Sequence, residues 1–254
     1  MQALGIDIGG TGIKGAVVDT RDGKLVTERT RVETPHPATP DAVAEVVGQI
    51  SRQLSWTGPI GVTFPGVVKR GVIHTAANVD DSWVGLHASG VFAKATGCHC
   101  FVVNDADAAG EAEARFGHPE ARHGVVLLLT LGTGIGSALV ADGLLIPNTE
   151  LGHLKMGKKQ VDAEKRAAEL VREREHLSWK KWAGRLSEYL EYLEALLWPD
   201  LFVLGGGVSA SADKFVPRLR CRTPVVAAQL ENEAGIVGAA LAVHHPGGAG
   251  PNHG

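Results

Sequence analysis

A glycine-rich turn set between two apolar runs occurs twice in this chain of 254 residues. The first copy is Asp7-Ile8-Gly9-Gly10-Thr11-Gly12-Ile13-Lys14, followed by Gly15-Ala16-Val17-Val18. The second is Leu131-Gly132-Thr133-Gly134-Ile135-Gly136, followed by Ser137-Ala138-Leu139-Val140. Glycine lets the backbone turn tightly and approach a ligand closely. Successive outward N–H groups in such a turn form a nest for an anion, and a threonine hydroxyl in each copy adds a donor. Two such turns on tandem hairpins predict duplicated α/β domains that grip one phosphate chain. One copy alone reads equally well as a plain hairpin turn. The pair, with one copy opening on a carboxylate and ending in Lys14, selects the phosphate reading.

The rest of the chain punctuates into elements on the same plan. Ala3 to Ile8, Lys14 to Asp19 and Leu25 to Val32 predict an antiparallel meander, with Asp22-Gly23 as a turn. Pro35, Pro37 and Pro40 break the chain before a helix capped by Asp41, whose Val43, Val46, Val47, Ile50 and Leu54 follow helical spacing. Strands are expected at Ile60 to Phe64 and Cys98 to Val103, the latter running into Asn104-Asp105. Helices are expected at Val91 to Thr96 and Ala106 to Phe116. In the second half Val125 to Leu131 and Ser137 to Val140 flank the second turn, and a long helical region follows. Leu201 to Leu204 forms a strand into Gly205-Gly206-Gly207, and Ala234 to Val243 is a final small-residue helix. The expected domains are 1–108 with the C-terminal helix 234–245, then 109–233, with a disordered tail at 246–254.

Composition narrows the function classes. A formal charge of −3 gives no general attraction to nucleic acid or an anionic membrane. No apolar stretch approaches the ~20 residues of a membrane span, and the start of the chain has no leader signature. Three cysteines give no disulfide framework, which fits a cytoplasmic location. Cys98-His99-Cys100 is too closely spaced for a structural zinc site and reads as a buried strand. One segment departs from the average. Residues 154–185 hold ten Lys or Arg and five Asp or Glu, a net of +5, which leaves −8 for the remainder. Such a run is a solvated helix face or, this close to the second turn, an anion-binding surface.

Phosphoryl transfer needs donors for phosphate, a metal, a base and a shielded site. Asp7, at the end of the first strand, is placed to hold hydrated Mg²⁺, which favours carboxylate and water ligands. Lys14 either neutralises phosphate charge or is a surface lysine of the hairpin. Asp105 at a strand's end could accept a proton from a sugar hydroxyl while Asn104 orients its neighbours, or it could serve as a helix N-cap. Glu150 and His153 form a compact Glu-x-x-His pair suited to vicinal diols, and such a pair also occurs at weak metal sites.

The ordered set Asp7-Ile-Gly-Gly-Thr, Asn104-Asp105-Ala106, Leu131-Gly-Thr-Gly-Ile-Gly, Glu150-Leu-Gly-His153 and Gly205-Gly-Gly resembles the ROK family of sugar kinases, in the hexokinase–actin superfamily. The resemblance spans nearly the whole chain. It implies two ribonuclease-H-like (actin/hexokinase-type) α/β domains with an interdomain cleft, and a homodimer. By the same resemblance Asp105 is the catalytic base, and Gly66, Asn78, Asn104, Glu150 and His153 line the sugar pocket with it. Phosphates fall to Gly9, Gly10, Thr11, Gly12, Lys14, Thr130, Gly132, Thr133, Gly134, Gly205, Gly206 and Gly207, and the Mg²⁺ to Asp7, through water.

The chain departs from that family at one place. Members often follow Glu-x-x-His with a cysteine-rich zinc loop, but no cysteine lies between Cys100 and Cys221. No zinc is therefore expected, His153 is left for sugar contact, and the acidic sugar ligand that ends that loop has no counterpart. In its place stand the basic stretch, with Lys158, Lys159, Lys165 and Arg166 as a polyphosphate track, then Trp179, Trp182, Tyr189, Tyr192 and Trp198. That combination resembles the actinobacterial branch that phosphorylates glucose from inorganic polyphosphate, some members also using ATP. A polyanion with no base to stack on favours a track of Lys and Arg, and the two tryptophans are expected as packing anchors. The expected partners are glucose and polyphosphate or ATP, with no nucleic acid and no membrane. The competing readings are a strictly ATP-dependent glucokinase or glucomannokinase and a sugar-sensing regulator. The regulators of this family carry an N-terminal DNA reader, for which the first strand near Met1 leaves no room.

Overall fold

The computed structural model describes residues 1–244. In chain order the elements are β1 (Gln2–Ile8), β2 (Ile13–Asp19), β3 (Lys24–Leu25), β4 (Thr30–Val32), α1 (Pro40–Gln53), β5 (Ile60–Phe64), β6 (Val68–Lys69), β7 (Val72–Ile73), α2 (Ala88–Thr96), β8 (Cys100–Asn104) and α3 (Asp105–Phe116). There follow β9 (Val125–Leu131), β10 (Ile135–Ala141), β11 (Leu144–Ile146), β12 (Lys155–Met156), β13 (Val161–Asp162), α4 (Glu164–Ala167), α5 (Glu169–Arg174), α6 (Trp179–Leu197), β14 (Leu201–Gly205), α7 (Ala212–Phe215), β15 (Val225–Ala227) and α8 (Ala234–Leu241). Two compact units divide the chain: Met1–Ala112 with the segment from Glu233 onward, and Glu113–Asn232. The tail expected from Pro246 lies outside the described residues.

The first unit is built on a sheet of order β3-β2-β1-β5-β8, with β4 also on β2. β1 and β2 run antiparallel, whereas β5 and β8 add in parallel. Its core joins Ile6, Ile13, Val47, Ile50, Val62, Phe64, Trp83 and Phe92. Trp83 meets Phe64 edge-on at 5.0 Å, and its indole N–H donates to the Ala38 carbonyl at 3.0 Å. Against the sheet lies α8. It comes so close that a Cβ on Gly5 or Gly61 would strike the carbonyls of Ile236 and Ala239. Only a glycine-on-backbone contact permits that approach.

The second unit repeats the plan, in the order β11-β10-β9-β14-β15. The antiparallel pair is β9/β10, and β14 and β15 again add in parallel. Its core includes Leu127, Leu129, Trp182, Leu186, Tyr189, Leu193, Phe202 and Phe215. Trp182 is fully buried and donates to the Ala167 carbonyl at 3.0 Å. Trp179 is stacked on Phe215 at 6.0 Å, so both tryptophans pack as anchors. The whole is a mixed α/β fold. No helix among the described residues is long and apolar enough to cross a membrane.

The structure corrects several expectations. Thr39, not Asp41, caps α1, accepting from Ala42 N at 3.4 Å. Pro40 suits the first helical position because its missing N–H needs no partner there, and Asp41 then sits in the first turn, where the helix dipole favours an anion. The single strand expected over Leu25 to Val32 is two strands, β3 and β4. Between them Thr27 Oγ1 accepts from Val17 N at 3.0 Å, a side chain taking the place of a ladder carbonyl. The strand expected from Cys98 begins at Cys100. The long helical region expected after β10 does not begin at once. It starts with the hairpin β12/β13, turning at Gly157 with φ +68°. α4 and α5 follow, broken at an extended Ala168 (ψ 154°), before α6 starts at Trp179.

Candidate active site

The first glycine turn presents its donors and spends its acceptors. Gly9 N donates to Gly12 O at 3.1 Å, Thr34 Oγ1 donates to Gly9 O, and an Arg31 Nη donates to Thr11 O at 3.0 Å. The N–H groups of Gly10, Thr11 and Gly12 donate to no acceptor among the described residues. That combination is an anion nest. A Cβ at Gly12 would stand 2.7 Å from Arg31 Nε, so the glycine makes room for the guanidinium. Asp7 faces Lys14 directly across the β1/β2 ladder. The Asp7 Oδ1 accepts from Thr63 Oγ1 at 2.9 Å, and the same hydroxyl accepts from Ile8 N at 3.0 Å. Oδ2 takes no hydrogen bond from the described residues. An aspartate with one oxygen fixed and one free fits a hydrated divalent cation, bound by a carboxylate and water.

Asn104 and Asp105 share the junction of β8 and α3. Asn104 Oδ1 accepts from Asp107 N at 2.9 Å, the N-cap bond, and its Nδ2 donates to Gly66 O at 3.0 Å. Asp105 Oδ1 accepts from the neighbouring Ala106 N at 2.8 Å. Capping thus falls on Asn104, and Asp105 stays partly exposed at the positive end of a 12-residue helix. Gly66 presses its Cα against the Thr75 carbonyl, and the 65–77 lobe closes through Ala77 N to Pro65 O at 2.9 Å. The lobe delivers Asn78, at φ +61°, to the first turn. Its Cβ lies 3.6 Å from where a Cβ on Gly10 would be.

In the second unit Gly132 N donates to Gly134 O at 3.0 Å, and Leu170 N donates to Gly132 O at 3.1 Å. Gly205, beside Thr130, ends β14, and Gly206 lies against the Leu131 backbone, so the Gly205–Gly206 turn adjoins the end of β9 that leads into the second glycine turn. Glu150 Oε2 lies 3.5 Å from His153 Nε2 across one 3-10 turn. Gly152 within that turn packs on the Ile135 carbonyl, which fixes the pair beside the second glycine turn. A third group joins them. Glu164 Oε1 is 3.7 Å from His153 Nδ1, and its Oε2 accepts from Ile135 N at 3.4 Å.

His153, Asp162 and Glu164 offer ligand atoms within 4.8 Å of one another. They do not fit a zinc centre. Both Asp162 oxygens carry ammonium groups, one from Lys155 and the other from Lys165 at 3.2 Å. Those hydrogen bonds hold the Asp162 carboxyl below the usual carboxylate range, and a dication would have to displace two cations. Burial raises the Cys98 and Cys100 thiols, which disfavours thiolate ligands there.

The basic stretch separates into two kinds of cation. Lys165 is held by Asp162 and Arg166 by Glu188, and Arg185 is paired with Glu175. Lys158 and Lys159 sit exposed in the β12/β13 turn and form no ion pair among the described residues. Sequence reasoning missed Arg31, Thr63 and Glu164. Thr63 left a signal, a hydroxyl in the otherwise apolar Ile60–Phe64 strand, where it is fully buried. Arg31 and Glu164 left none, since each reaches its glycine turn from a separate segment.

The family whose sequence pattern matches, over residues 3–168, is the ROK family. A polyphosphate glucokinase of Mycobacterium tuberculosis (strain ATCC 25618 / H37Rv) is 52% identical over 242 residues, covering 95% of this chain and 91% of that protein. A solved inorganic polyphosphate/ATP-glucomannokinase from Arthrobacter sp. strain KM has a TM-score of 0.90 at 50% identity, covering 96% of this chain and 99% of that one. A ROK family glucokinase from Streptomyces griseus, solved with glucose and AMPPNP, has a TM-score of 0.82 at 26% identity, covering 96% and 100%.

Proposed function

The chain belongs to the ROK family, and from that premise we propose that it is a sugar kinase moving the terminal phosphoryl group of inorganic polyphosphate to the 6-hydroxyl of glucose. The observation that carries this is the 52% identity to a polyphosphate glucokinase, sustained over 95% of the chain. ATP is a second donor, in keeping with the Arthrobacter polyphosphate/ATP enzyme. Each unit is read as a ribonuclease-H-like domain, supported by the common strand order of the two sheets. The enzyme is further read as a cytoplasmic homodimer.

In this reading Asp105 accepts the proton of the 6-hydroxyl as its oxygen attacks the terminal phosphorus. The bond from that phosphorus to the bridging oxygen breaks, and the shortened polyphosphate leaves. Asn104 caps the helix, and the partly exposed position of Asp105 beside it suits Asp105 to the task. Gly66, Asn78, Asn104, Glu150 and His153 position the sugar. Glu164, beside His153, supplies the acidic sugar ligand for which the zinc-free loop otherwise has no counterpart. Asp7 would hold Mg²⁺ through water, and that ion neutralises donor phosphate charge. The two glycine turns, Lys14 and Gly205–Gly207 receive the phosphates, and Lys158 and Lys159 lead the polyphosphate track. No zinc takes part.

The test is a matrix of initial rates for purified protein, glucose or mannose against long-chain polyphosphate or ATP. Glucose phosphorylation from nucleotide-free polyphosphate is the expected result. Transfer from ATP alone would replace the donor assignment.

A further inference from the structure

We propose that Arg31 is a donor-binding residue, the cation that grips phosphate at the first glycine turn. This rests on the kinase reading and names a contact that the glycine motif does not contain. Arg31 belongs to β4, 20 positions from Thr11, whose carbonyl it binds. It is the direct ladder partner of Lys14, which in turn faces Asp7. Direct partners project on one face of a sheet, so a carboxylate, an ammonium and a guanidinium stand in a row on adjoining strands.

Several arginines are neutralised by carboxylates. Arg21 pairs with Asp19, Arg52 with Glu45, Arg166 with Glu188, Arg172 with Glu169 and Arg185 with Glu175. Arg31 meets no carboxylate among the described residues, and neither does Lys14. A guanidinium carries five N–H donors in a planar fork, and one backbone carbonyl occupies one of them. The remaining donors stand beside three unspent N–H groups of the same turn. A cation held in place by a carbonyl, left without a counter-anion and set against an anion nest is preorganised for a phosphate oxygen pair. Gly12 is part of the device, because a side chain there would displace the guanidinium.

The test compares the parent with Arg31→Ala, Arg31→Lys and Gly12→Ala in the full chain. For Arg31→Ala, KM for polyphosphate and for ATP should rise about tenfold or more, while KM for glucose and the thermal midpoint hold. The slope of log KM for polyphosphate against log salt should fall by about 0.7 for the lost contact. Arg31→Lys should recover only part of the affinity, since an ammonium cannot bind Thr11 O and two phosphate oxygens in one plane. Gly12→Ala should reproduce the donor defect with Arg31 still present. Unchanged donor KM in Arg31→Ala overturns the proposal. So does a parallel rise in glucose KM with a lowered midpoint, which marks a merely structural arginine. Titration of inorganic tripolyphosphate calorimetrically into parent and Arg31→Ala, without sugar, is independent of turnover. Weaker binding by the variant supports the anion site even if the parent transfers no phosphate. Equal binding, or none to the parent, refutes it.

Discussion

Arg31 lies over Gly12 in the first unit, and Glu164 lies over Gly134 in the second. The turns themselves are near copies. Each follows a seven-residue strand, closes through a hydrogen bond from its first glycine to a later carbonyl and leads into an antiparallel partner. At each, a Cβ on the covered glycine would meet the charged group, at 2.7 Å for the arginine and 2.5 Å for the carboxylate. The charge that covers a turn therefore comes from outside the motif. A guanidinium extends the anion nest, whereas a carboxylate repels an anion at Gly134 and offers hydrogen-bond acceptance to hydroxyls. In the proposed kinase, phosphate at the second turn would fall to the Gly132–Thr133 side and the Gly205–Gly207 turn. The duplicated motif is a frame, and segments outside it divide donor from acceptor.

This contrast is broken most sharply at the residue that belongs to neither turn. If both turns only bind, chemistry rests on Asp105, and Asp105→Asn should lower turnover by about 10²–10⁴-fold with either donor. Glucose binding, followed by intrinsic fluorescence, should survive. Near-normal turnover would return the chemistry to the turns.

The next test exchanges the two covers. Gly134→Ala should push the Glu164 carboxylate aside and raise KM for glucose about tenfold, the order of one charged hydrogen bond. Donor KM should hardly move, the mirror image of Gly12→Ala. A donor defect in Gly134→Ala would mean that both turns serve phosphate alike.

The smallest effect belongs to the exposed cations. Lys158→Gln with Lys159→Gln should raise KM for long polyphosphate about two- to fivefold and leave ATP and saturated turnover alone. Neutralising Lys165 and Arg166 should instead lower thermal stability, because each is bound to a carboxylate. If both pairs show the same donor profile, the basic segment is one continuous surface.

Local signals carried the frame well. The apolar runs around each glycine turn marked β1, β2, β9 and β10 because a hairpin is written within about 15 residues, and the spacing of Val43, Val47 and Ile50 marked the buried face of α1. The hairpin β12/β13 left no sequence signal because its strands are two residues each, Lys155–Met156 and Val161–Asp162, too short for alternation to show. Residues 154–185 read as one basic helix for the same reason. The track residues Lys165 and Arg166 looked like their neighbours Lys158 and Lys159 until their partners were seen. Arg31 and Glu164 depend on register and on a turn 29 positions from Ile135, respectively. Charge identity at such positions is visible in a sequence, but its address is not.

The close seating of α8 has a consequence for how the protein is made. The first unit is discontinuous, closed by α8, which follows the whole of the second unit along the chain, and one of its bonds joins Thr20 to His244, 224 positions apart. The second unit is contiguous. Domains fold as units during synthesis, and such long loops close slowly, so the sheet of the first unit waits for α8 until the whole second unit has been made. Until α8 has been made, Asp7 lacks Gly235, whose Cα packs against its carboxylate in the finished molecule. A nascent chain thus holds both glycine turns and Asp105 well before the Asp7 carboxylate is seated, with the rest of the second unit made in between.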